Sequence, residues 1–339
     1  AACSRRPIGS ESPPPRRESP GKAPAPQARP RRLGFELATV DQRFRSGGRL
    51  QQQRRIKNDV VLVEGDAHLA TKTGVVSHRK MDRPQDLLPG ARSVIVMAVR
   101  LPLGAVQTIY RAHEDGLRHA QCIYGTHGYA LTPNYHLKFA AYRMARFLEK
   151  QGLIATSLPS GPGSGGTPFS HRHAAVAAGL GEFGWSGIVV TPDYGPRVRF
   201  VSVITRAELE PDPLYSGPPL CDRCDICVDV CPVGAISPVE SRSVEMGGRV
   251  YEYGKVHYAK CRVGTEGLTT KSLGFKDLPI PDDPTWEDVD AARRDIDKRQ
   301  LNEVILPVDR ATWYCGRCLA YCPIGSDKEL GMLEGLSSY

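Results

Sequence analysis

Eight cysteines hold the chemistry of this chain. Cys221, Cys224, Cys227 and Cys231 form C-x2-C-x2-C-x3-C followed by Pro232. Cys315, Cys318 and Cys322 form C-x2-C-x3-C followed by Pro323, and Cys261 stands alone between the two runs. Three cysteines at x2 spacing wrap one four-iron cubane with a single loop, while the cysteine before proline turns away to a second cubane. The spacing therefore assigns Cys221, Cys224, Cys227 and Cys322 to one [4Fe–4S] cluster. Cys231, Cys261, Cys315 and Cys318 go to the other. Zinc knuckles have no use for the third cysteine and the x3-C-P ending, and a disulfide framework belongs to small secreted domains. Cys3 and Cys122 are left as free thiols. The pattern reads as an electron carrier.

At 339 residues the chain is far longer than two clusters require, so the residues before Cys221 must do something else. No apolar stretch is long enough to span a bilayer, and no secretory signal is visible, so the expected compartment is the reducing cytoplasm. The formal charge of +8 is concentrated in residues 1–32, which hold seven Arg and one Lys against two Glu. With eight prolines and no aromatic residue, that segment reads as a disordered Pro/Arg-rich tail. Nucleic-acid binding would have to rest on this tail or on the acid-free stretch Arg43 to Lys57. A solvated loop is the favoured reading there, and nucleic acid is not the expected partner.

The elements that must position the cysteines are partly legible. Ser93 to Val99 reads as a buried strand after the Pro89-Gly90 turn. Thr132, Pro133 and Gly152 bracket a helix whose apolar stripe is Leu137, Ala140, Ala141, Met144, Phe147 and Leu148. The glycine loop 160–166 fails the context of a phosphate cradle. A short helix reaches Gly179. Ile188 to Val190 and Val198 to Ile204 read as strands around the turn 192–196. The fold class is α+β, with an α/β domain over residues 33–215 and a ferredoxin-like module carrying two [4Fe–4S] clusters over 216–339. The second part has a helical insertion at 262–314, with Asp283 as the expected cap and Pro284 at the first position. His171 and His173, two apart, read as ordinary polar contacts rather than a metal pair.

Gly179-Leu180-Gly181-Glu182-Phe183-Gly184-Trp185-Ser186-Gly187 and Thr191-Pro192-Asp193-Tyr194-Gly195-Pro196-Arg197-Val198-Arg199 are followed by the cysteine framework. This order resembles the catalytic domain of corrinoid-dependent reductive dehalogenases. Leu88 to Val96 resembles the opening strand of the wider superfamily, which includes epoxyqueuosine reductases.

The resemblance implies a nitroreductase-like α/β domain holding base-off cobalamin, with Gly181, Gly184, Ser186, Tyr194, Gly195 and Pro196 facing the cofactor. It implies a small-molecule substrate, reductive cleavage at cobalt, and a low-potential electron donor such as ferredoxin or flavodoxin. It also implies a tyrosine proton donor beside a basic residue, matched here by Tyr135 and Arg172. The epoxyqueuosine pattern fits less well, because its catalytic Asp falls on Gly165 and its Glu on His171. That reading, tRNA modification, is the alternative, together with a non-catalytic electron-transfer or corrinoid-reactivating protein.

Overall fold

A computed structural model describes residues 83–160, 169–274, 277–300 and 315–325. The expected tail, the stretch Arg43 to Lys57, Cys3, most of the glycine loop including Gly165, and residues 301–314 of the insertion lie outside the described residues.

The centre is a three-stranded antiparallel sheet in the order β1–β5–β2, formed by β1 (Ser93–Arg100), β2 (Ala155–Ser157) and β5 (Val198–Thr205). Both faces of β5 are covered. Val201 and Val203 face helix α2 (Thr132–Lys150) through Leu137, Ala141, Ala145 and Leu148. On the other face, Ile204 meets Ala174 of α3 (His171–Ala177). Burial on both faces explains why β1 reads as an unbroken apolar run from Val94 to Val99 and β5 as a mostly apolar one. Each such side chain contributes roughly 1.5–3 kcal/mol of burial.

Helix α2 starts one residue earlier than the cap reading implied. Thr132 is its first residue, Leu131 precedes it, and the Thr132 hydroxyl lies 3.1 Å from His127 Nδ1 instead of capping the helix. Its end follows the expected form. Gly152 has φ +78°, its N–H reaches Glu149 O at 2.9 Å and Leu153 N reaches Leu148 O at 3.0 Å, a Schellman ending. Before α2, helix α1 (Leu103–His113) leads through short helical turns into a π-helical segment, Tyr124–Ala130.

Strands β3 (Glu182–Phe183) and β4 (Val189–Val190) form a small hairpin. A second hairpin, β6 (Ile236–Met246) and β7 (Arg249–Val256), lies between the first cysteine run and Cys261. Gly247 and Gly248, at φ +58° and +76°, make its turn, the conformation that a tight two-residue hairpin loop demands. Val244, Met246, Tyr251 and Tyr253 bury one face of this hairpin against Ala175, Val176, Phe183 and Phe200. Residues on either side of position 216 therefore share a core.

In the second part, α4 (Ile226–Asp229) and α7 (Arg317–Ala320) follow the two cysteine loops. Helix α5 (Tyr258–Thr265) packs on α6 (Trp286–Gln300) through Ala259, Val263, Val289 and Ala292. The cap of α6 is a correction to the sequence reading. Thr285, not Asp283, caps it, with the Asp288 N–H to Thr285 Oγ1 at 3.2 Å and the Thr285 N–H to Asp288 Oδ2 at 2.8 Å. Asp283 instead pairs with His257 Nε2 at 3.0 Å. The reciprocal capping box outcompetes a lone acid before proline.

Candidate metal centre and the cavity beside it

The two cysteine loops are built alike. Asp225 at φ +59° precedes Ile226-Cys227, and Gly316 at φ +71° precedes Arg317-Cys318. Each left-handed residue curls the chain into the short helix that carries the next cysteine. Arg223, at φ +58°, adds a further left-handed step in the first loop. Non-glycine residues held in this region carry strain that the surroundings must hold.

Electrostatic influence sorts the thiols into two sets. Burial pushes the Cys227 thiol up to about 12, followed by the charges of Cys221, Cys322 and Cys224. Cys322 is also raised by burial and feels Cys221 and Cys224. Cys315 is pushed up to about 12 by burial, with Cys261 and Cys231 as its sulfur neighbours. Cys318 is raised by burial, then by Cys315, Cys261, Cys231 and finally Cys227. Each set thus takes one member from the distant run, Cys322 in the first and Cys231 in the second. Cys122 is not part of either.

The thiols of Cys227, Cys315, Cys318 and Cys322, raised by burial, hold their protons, so a metal or cluster must displace them. Groups that favour the anion are in place. The Trp185 N–H donates to Cys221 Sγ at 3.3 Å and the Ala235 N–H to Cys231 Sγ at 3.2 Å. The positive charges of Arg262 and Arg172 act on Cys261, and that of Arg317 on Cys315.

The first run is anchored by Glu182. Its carboxylate is buried, accepts the Leu220 N–H at 3.1 Å immediately before Cys221, and takes Arg249 Nη2 at 2.5 Å from the hairpin. The last run is anchored by Arg197, which is fully buried and donates to Cys322 O at 3.1 Å and Ile324 O at 2.7 Å. Gln121 Nε2 donates to Cys315 O at 3.0 Å, and the Tyr124 ring presses on Gly316, whose Cβ would fall 2.5 Å from it.

A cavity of about 320 Å³ opens beside the second quartet and is lined by Cys231, Cys261, Cys315 and Cys318. Tyr124, Tyr129, Arg172, Ser186, Arg199 and Tyr258 close its other side. Arg199 Nη2 donates to Tyr124 OH at 3.3 Å, and its guanidinium sits 5.2 Å from the Tyr129 ring centre. Burial pushes the Tyr124 phenol well above its ordinary value. Arg172 donates to Gly187 O at 2.5 Å and lies 3.4 Å from Tyr258 OH.

Of the residues expected to face a cofactor, Ser186 lines this cavity, whereas Gly181, Gly184, Tyr194, Gly195 and Pro196 are not among its lining. A Cβ on Gly181 would meet Val190 O at 2.0 Å, and one on Gly184 would meet Val190 Cγ1 at 3.1 Å. Those glycines have a packing reason in the β3–β4 hairpin. Tyr194 is half-buried under the Arg100 guanidinium at 5.0 Å.

Tyr135 is 52% exposed, with Lys138 Nζ 5.1 Å above its ring, and it is not among the residues lining the cavity that holds Arg172. It belongs instead to an exposed apolar face of α2 with Leu131, Phe139 and Tyr142. His171 donates from Nε2 to Pro159 O at 2.8 Å and meets Ser202 Oγ at 2.9 Å through Nδ1. His173 contacts Ser170 Oγ at 2.6 Å. Both make ordinary polar contacts, as the sequence reading expected.

Arg197, Arg199, Tyr124 and Glu182 were not singled out from the sequence. The available signal was the alternation Arg197-Val198-Arg199 at the mouth of an otherwise apolar strand.

The 4Fe-4S binding domain family matches residues 218–237. The chain is 41% identical over 100 residues to tetrachloroethene reductive dehalogenase of Desulfitobacterium hafniense, covering 29% of this chain and 17% of that protein. It is 25% identical over 209 residues to epoxyqueuosine reductase of Bacillus cereus, covering 60% of this chain and 48% of that protein. A crystal structure of selenomethionine-labelled epoxyqueuosine reductase superposes with a TM-score of 0.43 at 20% identity, covering 74% of this chain and 52% of the other. The homologues are thus reductases of two kinds, and the chain spans about half or less of each. Among the described residues, no helix is long and apolar enough to cross a membrane.

Proposed function

We propose that this chain is an iron–sulfur oxidoreductase of the reductive-dehalogenase type, in which the cysteines would hold two [4Fe–4S] clusters that carry electrons and a corrinoid, if bound, would supply the chemistry of reductive cleavage. The observation that carries the reading is the cavity wall on which Cys231 joins Cys261, Cys315 and Cys318, while the charges of Cys221 and Cys224 act on Cys322. The surroundings of the thiols support the reading: Trp185 and Ala235 direct N–H groups at sulfur, and arginines supply compensating positive charge. Clusters so held accept and release single electrons. Two clusters in series would pass electrons one at a time.

The proposed architecture is a nitroreductase-like layer over 33–215 and a ferredoxin-like module over 216–339 carrying the 262–314 insertion. The low-potential donor and small-molecule substrate follow from the same reading.

The described residues do not by themselves form a corrinoid cradle. The glycines expected to face it approach the protein's own backbone, and the cavity beside the second quartet is walled by the cysteines themselves. Cobalamin dependence therefore rests on the resemblance of the 179–199 segment. Tyr135 remains the proposed proton donor. Its hydroxyl is accessible, and an exposed apolar face of the kind around it marks a ligand or partner surface. Arg172 stays as the proposed basic partner and holds the wall between Gly187 and Tyr258.

The test is anaerobic reconstitution with iron, sulfide and cobalamin, followed by iron analysis and cobalt EPR. About eight irons per chain with tightly bound base-off cobalamin supports the proposal. A panel of halogenated aromatics and epoxides then identifies the substrate. About eight irons without corrinoid binding would leave an electron-transfer protein and remove the enzyme reading.

A further inference from the structure

We propose that Arg197 is a positioning residue for the first quartet, a buried cation that fixes the Cys322 turn and makes the cluster there easier to reduce. The inference rests on the two-cluster reading above. Arg197 is fully buried, and its guanidinium holds Cys322 O at 3.1 Å and Ile324 O at 2.7 Å, the carbonyls on either side of Pro323. Pro323 has no N–H, so it supplies no backbone donor to the turn. The fit is tight on every side. A Cβ on Gly195 would meet Ile324 O at 1.8 Å, and one on Gly325 would meet Arg197 Nη2 at 2.7 Å.

Burying a guanidinium forfeits its hydration and needs compensation. The two carbonyls provide hydrogen bonds, and the nearby thiolates provide negative charge. One electron from an external low-potential donor takes the oxidised cubane to its singly reduced form, adding one negative charge without making or breaking a bond. In a site shielded from water, a fixed positive charge stabilises that added charge strongly. An arginine suits the place better than a lysine because its planar fork reaches two carbonyls at once.

The test compares wild type, Arg197→Lys and Arg197→Gln, reconstituted anaerobically and titrated potentiometrically with dithionite and mediators under EPR, with iron counted in each sample. Both variants keep donors for the carbonyls, but only lysine keeps the charge. The expected result is full iron in all three. One cluster of Arg197→Gln shifts to a more negative midpoint, the other is unmoved, and Arg197→Lys stays close to wild type. Unchanged midpoints in Arg197→Gln at full iron overturn the proposal. So does loss of about half the iron in both variants, which would leave Arg197 as a brace alone. A wild type that loads only about four irons defeats the two-cluster reading itself, before either variant is compared.

Discussion

Gly195 and the carbonyl of Ile324 are in contact so close that no side chain fits between them, since a Cβ on Gly195 would lie 1.8 Å from the oxygen. Gly195 also sits at φ +54°, where only glycine is at ease. The turn before β5 and the turn after Cys322 are therefore one mechanical unit. Gly195→Ala should displace Cys322 and cost roughly 3 kcal/mol or more, because backbone strain and a buried clash act together. Its iron content should fall by about half. Gly104→Ala in α1 is the control, since a Cβ there meets nothing within 4 Å. Equal iron in the two variants would break the link between this turn and the cluster.

The crossed quartets predict a crossed mutational pattern. Cys322→Ser should damage the same cluster as Cys224→Ser, and Cys231→Ser the same cluster as Cys318→Ser. Each should leave the other cluster's EPR signal intact, with iron near half of the full count. A Cys322→Ser protein whose spectrum matches that of Cys318→Ser would show that the runs do not exchange their last cysteines.

Glu182 joins the reductase-like segment to the first cysteine loop by taking the Leu220 N–H at 3.1 Å and Arg249 at 2.5 Å. Glu182→Gln keeps the shape but halves the pairing, and it should cost about 1–3 kcal/mol, the range for hydrogen bonds to a charged group. The melting midpoint should drop while the second quartet keeps its cluster. No change in midpoint would mean the half-exposed Arg249 contributes nothing measurable.

The cysteine chemistry was legible because metal ligation fixes residue type and spacing at once. Strand β1 and helix α2 were legible because an apolar run and a stripe over nineteen residues leave little choice. The β6–β7 hairpin was missed, although Gly247-Gly248 stands between alternating Val244, Met246 and Tyr251, Tyr253. The cysteines on either side drew that stretch into a ferredoxin reading. Arg197 was missed for a different reason. The segment Arg197-Val198-Arg199 was quoted only for its resemblance, and only the fold brings the carbonyls of Cys322 and Ile324 to Arg197. The cofactor glycines show the converse limit, since a glycine needed for backbone approach and one needed for a ligand look identical in sequence.

Two histidines predict how stability depends on pH. Burial, reinforced by the neighbouring Arg317, lowers His113 to about 4, and burial also lowers His171. His113 Nδ1 accepts from Arg317 Nη2, so the folded protein holds the ring neutral. Below about pH 6.5 the unfolded chain takes up a proton that the folded one refuses. Stability is therefore full above that value and falls as the pH drops towards about 4, by up to roughly 3 kcal/mol for His113. Anaerobic melting midpoints at pH 7 and pH 5 test this. His113→Asn should show a smaller drop between the two than wild type, and an identical drop would refute the assignment.

Tyr135 poses the sharpest question about chemistry, because the fold separates the two properties a proton donor needs. Tyr124 lines the cavity beside the second quartet, but burial raises its phenol and Arg199 already occupies its oxygen. Tyr135 is open to a reactant and stands among Leu131, Phe139 and Tyr142. Removing the Tyr135 hydroxyl touches no packing, so Tyr135→Phe should keep iron content and change stability by less than about 0.5 kcal/mol. Loss of a positioned acid should cut turnover by roughly 10²–10⁴. Tyr124→Phe should instead loosen Arg199 and the wall beside Cys318, lowering the melting midpoint before it alters turnover. If Tyr135→Phe turns over any substrate at the wild-type rate, the proton comes from elsewhere, and the exposed face of α2 becomes a docking surface.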